Sequence, residues 1–289
     1  MRHLALVTAL LGAGACGRSA SFHRAASEEL EGAVTPTALA LSLRRTGGGH
    51  FHAVTTFEIS PGENPEKPEG PVESIVTTTD VWMDRTGQYR MLENNDKDGG
   101  REVISHGREL AVGLRYGRLI KRNAREPEPT KLLEESLGGP WAIWEMARRF
   151  AEVDRREDQS TGAKTVLFPL QKADSPQPVK AGFGGASPLR QWRDTVSVEA
   201  LSGAVRLDPS GAFISTRMDV VFSLRREGRP FYGAARVEAF VKDRGKVNPI
   251  APPRADELVP RQRTILEERA LLGRASSGTT DSATTRQRR

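Results

Sequence analysis

Between Ile214 and Arg225 one parity is apolar and the other mostly polar. Ile214, Thr216, Met218, Val220, Phe222 and Leu224 share one parity; Ser215, Arg217, Asp219, Val221, Ser223 and Arg225 share the other. Glu227-Gly228 then turns the chain, and Phe231, Gly233, Ala235, Val237, Ala239 and Val241 alternate again. Period-two alternation over two adjacent runs means half-buried antiparallel strands, with one face in a core and one in water. A sheet with one apolar face must have that face covered, so this pair constrains the rest of the chain.

The remaining segments extend the same pattern. Phe51, Ala53, Thr55, Phe57 and Ile59 alternate, and further strands are expected over 72–83, 89–92, 102–105, 109–114, 118–122, 164–170 and 196–207. Turn-forming clusters separate them at Asp84–Gly87, Asn94–Gly100, His106-Gly107 and Asp208–Gly211. Helices are expected after Thr35-Pro36, where Leu39 and Leu43 share a face, and over 130–137 and 140–152. In the last of these Ile143, Ala147 and Phe150 form a stripe that Trp141 and Trp144 widen. The expected fold class is α+β, mainly β: a large curved antiparallel sheet forming an incomplete barrel, with helices covering its concave face.

The core must be held by packing, because the chain has one cysteine and no intramolecular disulfide can form. That cysteine, Cys16, follows a basic start (Arg2, His3), a short apolar run (Leu4–Leu11) and the small residues Gly12–Ala15. The pattern is a secretory signal, too short to span a bilayer permanently. Two readings share a cut after Ala15. In one, Ala13-Gly14-Ala15-Cys16 is a lipobox and the Cys16 thiol carries a diacylglycerol. In the other, Ala13-x-Ala15 is an ordinary signal-peptidase site. Bacterial lipoboxes usually carry Leu where this chain has Ala13; the placement of the lone cysteine favours lipidation. The expected organisation is a signal over 1–15, a polar tether over 16–34, the half-barrel domain over 35–253, a C-terminal helix over 254–273 and a disordered tail over 274–289. The net charge is +6, but arginines are dispersed singly and in pairs. Dispersed charge makes a weak footprint on a polyanion, and an exported chain is not expected to meet nucleic acid.

Three stretches carry a resemblance to the LolA/LolB superfamily, which includes mycobacterial lipoproteins of the LppX/LprG type. Leu39-x-x-x-Leu43 followed by His50–Phe57 looks like that family's first helix and strand. Asp84-Arg-Thr-Gly-Gln-Tyr-Arg-Met91 is similar to its Arg-Pro-Gly-x-Phe-Arg-Trp hairpin, with Thr86 for Pro and Met91 for Trp. Val103–Leu110 is similar to its Ile-Val-x-Asp-Gly-Lys-x-Leu strand pair, with His106 for Asp. The resemblance implies an incomplete barrel plugged by helices that binds acyl chains or lipoproteins, with Arg85 hydrogen-bonding the plugging helices and holding the cavity shut. By resemblance to the enterobacterial lipoprotein sorting rule, Gly17 after Cys16, where a retention Asp would stand, implies a place at the outer membrane facing the periplasm.

Catalytic signatures are missing: there is no Gly-x-Ser-x-Gly, His-Glu-x-x-His or phosphate-binding loop. No enzyme and no cofactor is expected. His50 and His52 share a strand face and would hold a metal only with a third ligand, for which His106 is the other plausible histidine of the domain; without one, no metal is expected. Trp141, Trp144, Met146 and Phe150, with Met218 and Phe222 on the sheet, are either core packing or the lining of an apolar pocket. The small-residue run Gly233–Ala235 leaves room for a ligand or for a closely packed helix. The leading expectation is a non-catalytic envelope lipoprotein, anchored to the membrane through Cys16, that binds an acyl chain or other apolar ligand. The alternative is a structural or interaction lipoprotein with a filled core that meets an envelope protein partner.

Overall fold

The structure is a computed structural model that describes residues 23–64, 67–159, 162–176 and 195–259. The signal, Cys16, the loop over 177–194 and the chain from 260 onward lie outside the described residues.

Twelve strands form one antiparallel sheet. The first meander comprises β1 (Gly49–Pro61), β2 (Glu73–Met83), β3 (Tyr89–Asn95), β4 (Gly100–His106), β5 (Glu109–Leu114) and β6 (Ile120–Asn123). The second comprises β7 (Ala151–Val153), β8 (Arg156–Asp158), β9 (Thr165–Lys172), β10 (Ser197–Leu207), β11 (Phe213–Arg226) and β12 (Arg229–Lys242). β1 pairs with β12 from His50↔Lys242 to Pro61↔Phe231, which fuses the meanders. The order is β6-β5-β4-β3-β2-β1-β12-β11-β10-β9-β7, with β8 also on β9, and the sheet does not close.

Among the described residues four α-helices accompany it. Residues 23–34 form α1. α2 spans Pro36–Arg45, where the Thr35 hydroxyl caps the Ala38 N–H and proline occupies the first turn. α3 spans Glu128–Ser136 and α4 Gly139–Ala147. α4 packs on β1, β11 and β12. Leu30, Leu39, Leu43, Leu133 and Trp144 from these helices meet Phe51, Val81, Met91, Phe168, Val205, Met218 and Phe222 in one main core.

Four expectations need correction. The polar tether does not extend to residue 34: Ala26, Leu30, Ala33 and Val34 recur at helical spacing and are buried in the core. The helix expected over 140–152 stops at Ala147; a 3-10 turn (Arg148–Phe150) then feeds β7. Ile214 does not share the face of Met218, because a register shift pairs Ser215 with Arg206 but Phe213 with Leu207 and puts Phe213 in the core. The C-terminal helix does not begin at 254. Only Ala255–Glu257 makes a 3-10 turn, and Leu258 bridges to Leu119.

The segment after β12 crosses the outer face of the first meander. Ile250 and Leu258 pack on Ile104, Ala111 and Leu119, a small second core on the side away from the helices. The folded unit therefore runs from at least residue 23 to residue 259, wider than the boundaries 35–253.

Candidate ligand-binding face

The strand period decides which side chains of β11 and β12 reach the inner, helix-covered face. Thr216, Met218, Val220, Phe222 and Leu224 point there, as do Gly233, Ala235, Val237 and Ala239. α4 presents Ile143, Trp144, Met146 and Ala147 against them. All six expected lining residues join this cluster: Trp144, Met146, Met218 and Phe222 are buried, and Trp141 and Phe150 are partly buried against it.

The face is filled. Trp144, Met218 and Phe222 have 0% of their surface accessible. A side chain beside a void large enough for water would keep some accessible surface, so no such void touches these three. Within the Gly233–Ala235 run, Gly233 is shaped by its strand neighbour. A Cβ at Gly233 would stand 2.5 Å from Phe222 Cζ and 2.6 Å from the Glu58 carbonyl oxygen, so the missing side chain makes room for the Phe222 ring. Phe57 packs on that ring at 5.6 Å between centroids. The Trp144 indole N–H is buried with no hydrogen-bond partner, a cost accepted inside an otherwise apolar layer.

The helices over this face are held from their outer sides. Arg148, just after α4, reaches Glu31 of α1 at 3.4 Å, and its guanidinium lies over the Trp141 ring. Arg155 reaches Glu29 at 3.0 Å. His23 lies 3.3 Å from both Glu152 and Asp154. The His23 and Arg155 pairs are partly exposed and contribute little each, whereas Arg148 is buried.

Among the described residues Arg85 bonds the chain after β12 and not a helix. Its guanidinium donates to the Gly245 carbonyl at 2.9 and 3.2 Å, tying the β2–β3 turn to the chain after β12. The turn itself is organised by Asp84, which is 4% exposed. Its Oδ1 accepts from the Thr86 N–H and hydroxyl and from the Gln88 N–H, and its Oδ2 from the Ile250 N–H. Burial alone would raise the Asp84 pKa; the hydrogen bonds from Thr86, Ile250 and Gln88 outweigh it and hold the pKa below the usual carboxylate value. Thr86 thus replaces proline with a hydroxyl that the turn uses.

Beside this turn lies a groove of about 580 Å³, lined by Arg44, Arg85, Gln88, Ser105, Arg108 and Glu126 among others. Its three arginines give it donors for an anionic group. Tyr89 closes its inner end and donates to the Pro129 carbonyl at 2.7 Å; burial pushes the phenol pKa well up.

On the outer face, His50 and His52 do find a third partner, and it is Asp80 of β2 rather than His106. The strands β2 and β3 separate His106, at the end of β4, from β1. Spacing along one strand cannot reveal a residue supplied by its neighbour, so Asp80 carried no signal in the sequence.

No family model and no curated protein matches the chain. Among solved structures it is similar to a candidate outer membrane lipoprotein-sorting protein domain from Vibrio parahaemolyticus, with 8% identity over 70% of this chain and 89% of that one, at a TM-score of 0.21. It is also similar to MucB, with 14% identity over 82% and 63%, at 0.21. A third is a beta-barrel-like protein of a domain of unknown function from Brucella abortus, with 11% identity over 68% and 98%, at 0.20. Scores this low carry no functional argument, so the functional reading rests on the sheet and helices of this chain. Among the described residues no helix is long and apolar enough to cross a membrane.

Proposed function

We propose that the protein is an envelope lipoprotein, anchored at the outer membrane through Cys16, whose half-barrel takes up an acyl chain or other apolar ligand without covalent chemistry. The observation that carries this reading is the cover of the sheet. One apolar face of an unclosed twelve-stranded sheet is covered by short helices, including the nine-residue α4, and not by a second sheet.

Because the face is filled, binding is a displacement. Lifting α4 exposes Ile143, Trp144 and Met146, at a cost of about 7 kcal/mol. An acyl chain returns about 0.8 kcal/mol per buried CH₂. Chains longer than about nine methylenes therefore offset the displacement, whereas shorter ones do not.

A second reading is supported by the 0% accessibility of Trp144, Met218 and Phe222: a scaffold lipoprotein with a permanently filled core that meets an envelope protein. Native mass spectrometry of the Cys16→Ser chain, with fatty acids of graded length, separates the two. A one-to-one complex that appears only for long chains supports displacement; absence of any complex at every length leaves the scaffold. The anchor is tested by detergent-phase partitioning, where wild type enters the detergent phase and Cys16→Ser stays in water. Equal partitioning of both removes the lipidated cysteine.

A further inference from the structure

On the outer face of β1, His50 and His52 project side by side, because residues two apart in a strand share a face. Asp80 stands directly opposite His52 on β2, and Trp82 opposite His50. Directly opposed side chains lie about 5 Å apart at Cβ, so three ligand-bearing groups meet over two strands. His50 Nε2 lies 2.7 Å and His52 Nδ1 2.8 Å from the same carboxylate oxygen, Asp80 Oδ1. All three donor atoms fall within 4.8 Å of one another.

The rings are held in place from both sides. His50 is 8% exposed and stacks on Trp82 at 4.7 Å between centroids. His52 packs on Phe240 of β12 at 5.0 Å. β1 is paired on both edges along almost its whole length, so the ligand-bearing backbone cannot slide. Preorganisation of this kind, with donors on strands and rings locked by packing, is what a metal site requires.

We propose that His50, His52 and Asp80 form a site for one divalent transition-metal ion of the zinc type. Two imidazoles and a carboxylate, with no thiolate, suit Zn²⁺, Ni²⁺ or Cu²⁺ and not Ca²⁺ or Mg²⁺, which demand more oxygen ligands. With metal–ligand distances near 2.0–2.1 Å, ligand atoms around a tetrahedral ion lie about 3.4 Å apart. Each histidine nitrogen therefore withdraws from Oδ1 by about 0.6–0.7 Å to admit the ion, a movement within the reach of small χ adjustments. His52 and Asp80 are partly exposed, which gives the ion an entry path and leaves its remaining position to water. The site lies on the face opposite α4 and is independent of acyl binding. Its effect on the fold is to clamp β1 to β2 at the centre of the sheet.

The test uses the full-length, untagged Cys16→Ser chain, which removes the lone thiol as a competing ligand, titrated with Co²⁺ and then Zn²⁺. The expected result is a visible d–d band that saturates at one Co²⁺ per chain and is abolished by Zn²⁺, with Zn²⁺ also raising the Tm. Asp80→Asn keeps the shape and the hydrogen-bonding capacity but removes the charge, and His52→Gln removes one ligand. Each is expected to weaken Co²⁺ binding at least tenfold, while His106→Gln leaves it unchanged. Circular dichroism checks that the variants fold. Absence of a stoichiometric band in wild type, or equal binding by wild type, Asp80→Asn and His52→Gln, overturns the proposal and leaves a hydrogen-bonded His–Asp–His group.

Discussion

The ring of Phe222 occupies the space that a side chain on Gly233 would need. The two residues pair across β11 and β12, and a Cβ on Gly233 would meet both the ring and the Glu58 backbone. Gly233→Ala is therefore expected to lower stability by about 1–3 kcal/mol through overpacking. Urea unfolding measures it. Adding Phe222→Leu to Gly233→Ala should recover part of the loss, since the smaller side chain vacates the contested volume. Strict additivity of the two substitutions would show that the ring and the glycine are not coupled.

Asp84 is expected to make the protein acid-sensitive. Its folded pKa is depressed, so the unfolded chain binds the proton more readily. The stabilisation is fully present above the unfolded value, at about pH 5 and higher, and is lost as the pH falls through about 4 and below. Asp84→Asn keeps the side-chain volume and removes the charge, so it should destabilise at neutral pH and flatten the acid limb. Asp208 has a pKa depressed against burial in the same way, by bonds from Ser210, Ala212 and Arg244, and keeps some acid sensitivity in the variant. Chemical denaturation between pH 3 and pH 7 (spanning the unfolded carboxylate range) reads the difference. An unchanged slope would remove Asp84 as a contributor.

The alternation over 216–224 and 231–241 made the sheet and its buried face legible, because period two fixes facing directly. Three features were not legible in the same way. Phe213 and Ile214 are both apolar, so parity alone could not show which one the bulge turns inward. The buried face of α1 uses Ala26, Leu30, Ala33 and Val34 among Glu28, Glu29 and Glu31; small residues set in an acidic run read as a tether. Asp80 meets His50 and His52 only through strand register, which no single segment encodes. The lining residues were legible as a group, yet whether they enclose a space depends on packing volumes and not on pattern.

Leu30 tests the corrected boundary. It is fully buried in α1, so Leu30→Ala is expected to cost about 2–5 kcal/mol. A polar tether would tolerate the change with no measurable loss. Leu30→Asp should go further and expose the 23–34 segment to protease, because it puts a charge where the side chain is fully buried. Limited proteolysis followed by mass spectrometry locates the cut. Wild-type stability in Leu30→Ala would return residues 23–34 to the tether.

Trp144 separates a displaceable cover from a permanent core. Truncating it to Ala removes the largest fully buried side chain of α4 and should destabilise the unliganded protein by about 3–5 kcal/mol. Both readings share that loss; they differ in what a ligand then does. If the inner face takes acyl chains by displacement, Trp144→Ala has already removed much of the displacement cost. The variant should bind a long-chain fatty acid at least tenfold more tightly than wild type and accept chains too short for wild type. Ligand should also restore its Tm, because a molecule that binds only the folded state stabilises it by mass action. If the core is a permanent scaffold, the cavity left by the indole is isolated, and fatty acid leaves both affinity and Tm where they were. Calorimetric titration of wild type and Trp144→Ala with the same chain-length series gives the answer. A variant that is weakened and still refuses every chain length would sink the carrier reading while leaving the fold untouched.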